Sequence, residues 1–182
     1  MVTKPVLETK RLVLRPLSRD DLTTVHRIFD DPSVRRYLFD DEPVSIGTAE
    51  SLLTNSERDF ASGSVGLFGV RLRDEAALIG FCGFFVVEGI GEPEMTYGLL
   101  PAYRRRGFGI EAARAAARYA LEKAGFWRVL VAADQANSDS LRVIRNLGAT
   151  PLGEISPQQP KIPYFQLKRW VEERRSETKG HP

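Results

Sequence analysis

Hydrophobic and polar positions along the chain change period several times, and each change marks an element. Residues 11–16, Arg-Leu-Val-Leu-Arg-Pro, alternate with a period of two, the pattern of a half-buried strand, and Pro16 closes it. The period then turns helical. Ser18 with Asp20 and Asp21 makes a capping signal, and Leu22, Val25 and Phe29 recur on one face. Asp31-Pro32 opens a short helix over 33–38, and Ala49, Leu52, Leu53 and Phe60 stripe a longer one over 48–61. Residues 64–73 and 76–87 are rich in Val, Leu, Ile and Phe and flank the polar turn Arg73-Asp74-Glu75, which predicts a hairpin. Gly80 and Gly83 inside its second strand predict a bulge or the close approach of another backbone. A loop over 88–93 leads into a strand over 94–100, so three successive antiparallel strands are expected.

The second half of the chain alternates helix and strand. Residues 110–124 carry alanine at 112, 113, 115, 116, 117, 120 and 124, and Gly125 supplies the stop. A face of such small side chains lets a helix lie close to a sheet. An apolar strand over 127–133 follows, then a polar turn over 134–137. Leu141, Ile144 and Leu147 define a helix over 138–147 that Gly148 ends. Strand character returns at 150–154 and 162–170, with Pro157, Pro160 and Pro163 between them, and a charged tail occupies 171–182. With no internal repeat and no linker, the 182 residues are expected to form a single domain with its core over 7–170.

Composition narrows the chemistry. Hydrophobic residues at 42% and charged residues at 27% are values of a globular protein, and a net charge of +2 offers no global field to recruit nucleic acid or an anionic membrane. The N-terminus lacks an apolar leader core and no apolar run has the length of a membrane span, so a cytoplasmic protein is expected. The lone Cys82 sits in an apolar run and reads as a packing residue in a reducing compartment. Only His26 and His181 are present, and His26 reads as a surface or partly packed side chain. No metal is expected, and a Ser-His-Asp triad lacks raw material.

The distinctive chemistry lies in Arg104-Arg105-Arg106-Gly107-Phe108-Gly109, between a strand and a helix N-terminus. Glycines let backbone N–H groups approach an anion, the helix start adds unpaired donors and the positive end of its dipole, and arginine adds forked donors. Together these describe a pyrophosphate cradle. A solvated basic turn before an ordinary helix also fits. A third reading takes Gly107 to Ala112 as G-x-G-x-x-A, with Asp134 as a ribose-binding acid. That fingerprint normally follows its strand at once and opens repeated parallel units. Here residues 101–106 intervene and a hairpin comes before.

Three blocks then carry a resemblance that covers most of the chain: the opening L-E-T-K-R-L-V-L-R-P-L, the block Y-G-L-L-P-A-Y-R-R-R-G-F-G-I-E-A, and N-S-D-S-L-R-V-I-R-N-L-G-A. In order and spacing they resemble the GNAT (Gcn5-related N-acetyltransferase) superfamily, in its branch similar to the ribosomal-protein N-acetyltransferases RimJ and RimL. The resemblance implies an α/β (α+β) acyl-CoA N-acyltransferase fold. That fold is a mixed, largely antiparallel sheet of about seven strands with helices on both faces, split between the strands at 94–100 and 127–133. It implies acetyl-CoA as co-substrate, without a metal. The motif R/Q-x-x-G-x-G/A maps onto Arg104, Gly107 and Gly109, so the amides from Arg105 through Arg106, Gly107, Phe108 and Gly109 to Ile110 would hold the pyrophosphate. The edge of strand 94–100 would pair with the pantetheine arm, and an N–H at Leu99 or Leu100 would stabilise the carbonyl oxygen. Asn137 maps to an asparagine near that arm, and Ser140 to a serine that reaches the thioester sulfur.

Two positions depart from the family pattern: Ile144 stands where many members have an acidic tyrosine, and Ala149 where phenylalanine is usual. Ser140 therefore becomes the candidate acid, alongside a structural role at its helix start, and Glu94 the candidate base, alongside that of a surface glutamate. Tyr97 and Tyr103 are assigned to packing. The acceptor implied is an amine, on a protein N-terminus or on a small molecule such as an aminoglycoside, polyamine or amino acid, and a homodimer stays open. The N-terminal helices would shape the acceptor pocket. A non-catalytic acyl-CoA sensor is the reading from another class.

Overall fold

A computed structural model describes residues 5–75, 77–86, 91–153 and 162–169. The first half of the expected loop at 88–93, Pro157 and Pro160, and the chain from 170 onward, with its charged tail and His181, lie outside the described residues. Among the described residues eight strands form one sheet, β1 (Leu7–Glu8), β2 (Leu12–Pro16), β3 (Leu67–Leu72), β4 (Leu78–Val86), β5 (Pro93–Leu99), β6 (Arg128–Ala132), β7 (Thr150–Gly153) and β8 (Tyr164–Lys168). Their order is β1-β2-β3-β4-β5-β6-β8-β7. Seven of them match the expected strands. The eighth, β1, is a two-residue pairing of Leu7 with Leu14 and Glu8 with Val13, too short to leave a periodic signal.

Every neighbouring pair is antiparallel except β5 and β6. A single parallel pair is incompatible with the repeated parallel units of a dinucleotide fold, and that reading falls. Helices cover both faces. On one, α1 (Leu22–Phe29), α2 (Pro32–Leu38) and α3 (Ile46–Ala61) bury Val25, Ile28, Phe29, Val34 and Leu53 with Leu17 and Phe81. On the other, α4 (Phe108–Arg118) and α5 (Ser138–Leu147) pack with Leu12, Leu14, Phe84, Met95 and Val131. The alanine face behaves as its side chains dictate: Ala112, Ala113, Ala116 and Ala117 are buried, so α4 lies close over the sheet. The helix does not run unbroken to 124. It passes at Tyr119 into one wider turn, with the Ala124 N–H on the Tyr119 carbonyl at 2.9 Å, and Gly125 ends it at φ +87°.

Both expectations for the β4 glycines hold. Val70 pairs with Gly80 but Arg71 with Leu78, a bulge at Ile79. A Cβ on Gly83 would fall 2.2 Å from the Gly66 carbonyl oxygen, and one on Gly80 would fall 2.3 Å from that of Gly98. Only bare backbone fits there. Cys82, fully buried on the same strand, has its thiol pushed up to about 12 by burial, which makes it inert. His26 is half-buried and donates from Nε2 to the Val44 carbonyl at 2.7 Å, joining α1 to the segment before α3.

The feature that positions the site is the parting of β5 from β6. They pair only at Glu94 with Leu130 and Met95 with Val131, and beyond Met95 they diverge. A gap opens in the middle of the sheet.

Candidate active site

The gap is lined by backbone that has lost its partner strand. The Leu100 N–H donates to the Ile79 carbonyl at 2.9 Å. By the alternation of an antiparallel ladder, the main-chain groups of Gly98 and Thr96 also face β4, while those of Leu99 and Tyr97 face the gap. An extended ligand arm can therefore pair with β5 as a further strand would. Of the two N–H groups expected to face a carbonyl oxygen, Leu99 remains suited, whereas Leu100 is corrected: its N–H is already spent on β4 and it does not line the cavity.

At the C-terminal end of β5 the chain makes one 3₁₀ turn, Pro101–Tyr103, and enters α4 through a left-handed Arg105 (φ +58°) and Gly107 (φ +82°). Gly107 caps α4 without any side-chain acceptor, so the N–H groups of Phe108, Gly109 and Ile110 begin the helix unpaired. A Cβ at Gly109 would meet only Leu99 Cδ1 at 3.8 Å, and the residue lies in the cavity wall. Uncapped donors, an open glycine face and the positive end of the helix dipole suit a phosphate group.

The turn is held by residues far away in sequence. Glu111 accepts from Thr9 Oγ1 at 2.7 Å, from the Arg11 N–H at 2.9 Å and from Arg11 Nε at 2.7 Å. Arg11 Nη1 in turn holds the Arg106 carbonyl at 2.9 Å. Burial pushes the Glu111 carboxyl up, but the Thr9 and Arg11 hydrogen bonds and the Arg11 charge outweigh it and hold it below the ordinary carboxylate range. The first two sequence blocks thus meet here, Thr9 and Arg11 latching the first turn of α4. Phe108 anchors the same turn, its buried ring under the Arg11 guanidinium at 4.5 Å and the Arg106 guanidinium at 5.2 Å. Arg104 Nε donates to the Leu99 carbonyl at 2.8 Å, and its Nη2 lies 3.7 Å from Asp31, the N-cap of α2. Its guanidinium ties β5 to α2 from within the cavity wall.

Across the gap, Asn137 caps α5, its Oδ1 accepting from the Ser140 N–H at 3.1 Å. Ser140 and Asn137 both line the cavity. The Tyr97 hydroxyl reaches from β5 to the Ser140 carbonyl at 3.4 Å, so Tyr97, assigned to packing from sequence, also forms part of the wall. Burial pushes its hydroxyl up to about 12, which keeps it protonated. Ile144 is buried in the core and Tyr103 packs against the same cluster outside the wall.

The cavity, about 790 Å³, passes from one face of the sheet to the other. On the α4 and α5 face it is lined by Arg105, Gly107, Gly109, Ile110, Asn137, Ser140 and Arg142, and on the opposite face by Pro32, Ser33, Val34, Arg36, Tyr37 and Leu38 of α2, with Leu99 and Arg104 between. Among the N-terminal helices only α2 contributes to the wall. Thr96 and Gly98 reach it from β5, on the strand face that Gly98 turns toward Val34 and Phe81. Besides Leu100, three residues singled out from sequence stand outside the lining. Arg106 stacks on Phe108 and offers its carbonyl to Arg11, and Phe108 is buried as an anchor. Glu94 lies two positions behind Thr96 on the same strand face, where the sheet is still closed, and accepts from the Tyr164 hydroxyl at 3.2 Å. Burial pushes its carboxyl up, and the tyrosine bond offsets part of that.

A split sheet, an uncapped helix start beside it and a cavity through the split form one arrangement. The family model described as acetyltransferase (GNAT) domain matches residues 11–150. The chain belongs to the GNAT acetyltransferase family. Its sheet, mostly antiparallel and flanked by five helices, is the GNAT fold, and the protein is a GNAT-family N-acetyltransferase, members of which use acetyl-CoA. The uncharacterized N-acetyltransferase YnaD of Bacillus subtilis is 28% identical over 158 residues, covering 85% of this chain and 88% of that protein. The spermidine N(1)-acetyltransferase of Escherichia coli K12 is 26% identical over 147 residues, 78% of this chain and 74% of that protein. The ribosomal L7/L12 alpha-N-protein acetyltransferase RimL, solved in complex with coenzyme A, aligns with a TM-score of 0.73 at 15% identity, over 90% of this chain and 98% of that one. GNAT relatives thus include acetylators of a polyamine and of a protein N-terminus. Among the described residues of this GNAT chain, no helix is long and apolar enough to cross a membrane.

Proposed function

We propose that the chain transfers acetyl from acetyl-CoA to the primary amine of a protein or peptide N-terminus, in the manner of the RimJ/RimL branch. The observation that carries this reading is the through-sheet cavity, with uncapped backbone donors on one face and the α2 wall on the other. Bound on the α4 side, acetyl-CoA supplies the acetyl thioester. The amides of Phe108, Gly109 and Ile110 bind the pyrophosphate, with Arg105 at the rim, and Leu99 and Tyr97 align the pantetheine arm along β5. The amine enters from the α2 face and attacks directly, with no acyl-enzyme. The Leu99 N–H takes up the charge on the carbonyl oxygen, worth about 3 kcal/mol for such a donor. Ser140 returns a proton to the departing sulfur, and Glu94 receives the proton of the amine through a bridging group, since it lies behind the wall.

The choice of acceptor rests on charge. Among the described residues the α2 side of the lining carries Arg36 and no carboxylate, whereas Asp134 and Asp139 lie on the α5 side. A polyamine brings several positive charges that would find no counter-charge there. Peptides with free N-termini are therefore expected to exceed spermidine in kcat/KM by about tenfold or more, the ratio that 1.4 kcal/mol provides. Free-thiol release measured with both acceptors checks this. Spermidine turning over faster than every peptide would transfer the assignment to the polyamine class.

A further inference from the structure

The Thr96 hydroxyl has no part in the roles assigned above. Thr96 is 7% exposed, lies in the cavity wall, and its Oγ1 is buried with no hydrogen-bond partner among the described residues. A buried hydroxyl left unpaired costs free energy, and native structures keep few such groups without a reason.

The fold explains why none of the described groups reaches it. Thr96 is the first residue of β5 beyond Met95, the last that pairs with β6, so on that side its neighbour strand has gone. On the other side its cross-strand partner is Gly83, which has no side chain and admits none, because the Gly66 carbonyl occupies that place. The side chain is thus bounded by an open gap and by bare backbone. Along its own strand face, two positions away on either side, stand Glu94 and Gly98. A polar atom is kept at the point where the α2 half of the cavity enters the sheet, next to a carboxylate that cannot itself touch the cavity.

We propose that the Thr96 hydroxyl binds the nitrogen of the acceptor amine and positions it in the gap, a role that rests on the amine-acetyltransferase reading above. The ligand it fits is a primary amine arriving from the α2 face. The nitrogen donates one N–H to Oγ1, keeps its lone pair directed toward the thioester carbonyl, and gives up its remaining proton toward Glu94. No covalent bond forms to Thr96. Gly98, two positions on, admits no side chain either, since a Cβ there would fall 2.7 Å from the Phe81 ring.

The test is Thr96→Val, which exchanges the hydroxyl for a methyl group of nearly the same shape, with Thr96→Ser as the rescue. In Thr96→Val the KM for the amine is expected to rise about tenfold, while acetyl-CoA Kd by calorimetry stays within twofold of the parent. Thermal stability is expected to hold or increase, because the substitution removes an unpaired buried oxygen. A hydroxyl serving only the fold would give the opposite, a lower Tm with an unchanged KM. Thr96→Ser is expected to restore the amine KM. Transfer at an unchanged KM in Thr96→Val overturns the inference alone, as does a fall in Tm or a failure of serine to rescue. Absence of transfer by the parent chain with any amine overturns the transferase reading, and the inference with it.

Discussion

Gly109→Glu is expected to weaken acetyl-CoA binding by more than about 100-fold, or 2.7 kcal/mol, while the protein stays folded. Gly109 is in the first turn of α4, has no positive φ, and offers a Cβ only ordinary contact with Leu99. Nothing among the described residues resists a side chain there. An acidic residue in the first turn of a helix even favours the helix, through the macrodipole. What the substitution changes is the cavity: a carboxylate would lie against the N–H groups that a phosphate needs and repel it. Calorimetric titration with acetyl-CoA, beside a thermal melt, checks both halves. Unchanged affinity would remove the turn from the binding site. Gly107 is the poorer probe, since its φ of +82° strains any replacement and confounds folding with binding.

The second large effect is expected at Glu94. Glu94→Gln keeps the shape and can still accept from Tyr164, but it cannot take a proton, so kcat is expected to fall by about 100-fold or more. The pH dependence has a definite sign. Burial raises the Glu94 carboxyl, so the base is ionised only above that raised value, and parental activity climbs through it as pH increases. The loss in Glu94→Gln is therefore greatest above that value and shrinks toward acid. Stability runs the other way. A carboxyl raised in the folded state contributes stability below its unfolded value, and that stability is lost as pH rises through the folded value. Glu94→Gln should then melt no lower than the parent near neutrality. A pH–rate profile of the same shape and height in both proteins would remove Glu94 from the chemistry.

Sequence reasoning succeeded where chemistry and backbone are local. The alanines of α4 and the Gly148 stop of α5 act within a few residues of themselves, so their meaning can be taken from spacing. It fell short where partners are distant. Glu111 looks like a surface acid in the first turn of a helix, yet Thr9 and Arg11, about a hundred positions earlier, make it the latch of the turn. Arg104 reads from spacing as a phosphate ligand, and its contacts with Leu99 and Asp31 leave no trace in the sequence. Leu100 and Leu99 are indistinguishable in sequence, and only the register with Ile79 decides which N–H faces the gap. Thr96 carries no motif at all. Its significance comes from three absences that meet in space: the departing β6, the missing side chain of Gly83, and the unpaired oxygen between them.

The central claim is that one cavity through the sheet joins acetyl-CoA on the α4 face to a primary amine on the α2 face. The most direct measurement is release of free thiol from acetyl-CoA by the purified chain in the presence of a panel of primary amines, with the acetylated product weighed by mass spectrometry. The account predicts amine-dependent thiol release, with one acetylated amine recovered for each thiol. Acetyl-CoA binding without thiol release for any amine in the panel would contradict it, and would leave a protein that senses the acyl-CoA it holds.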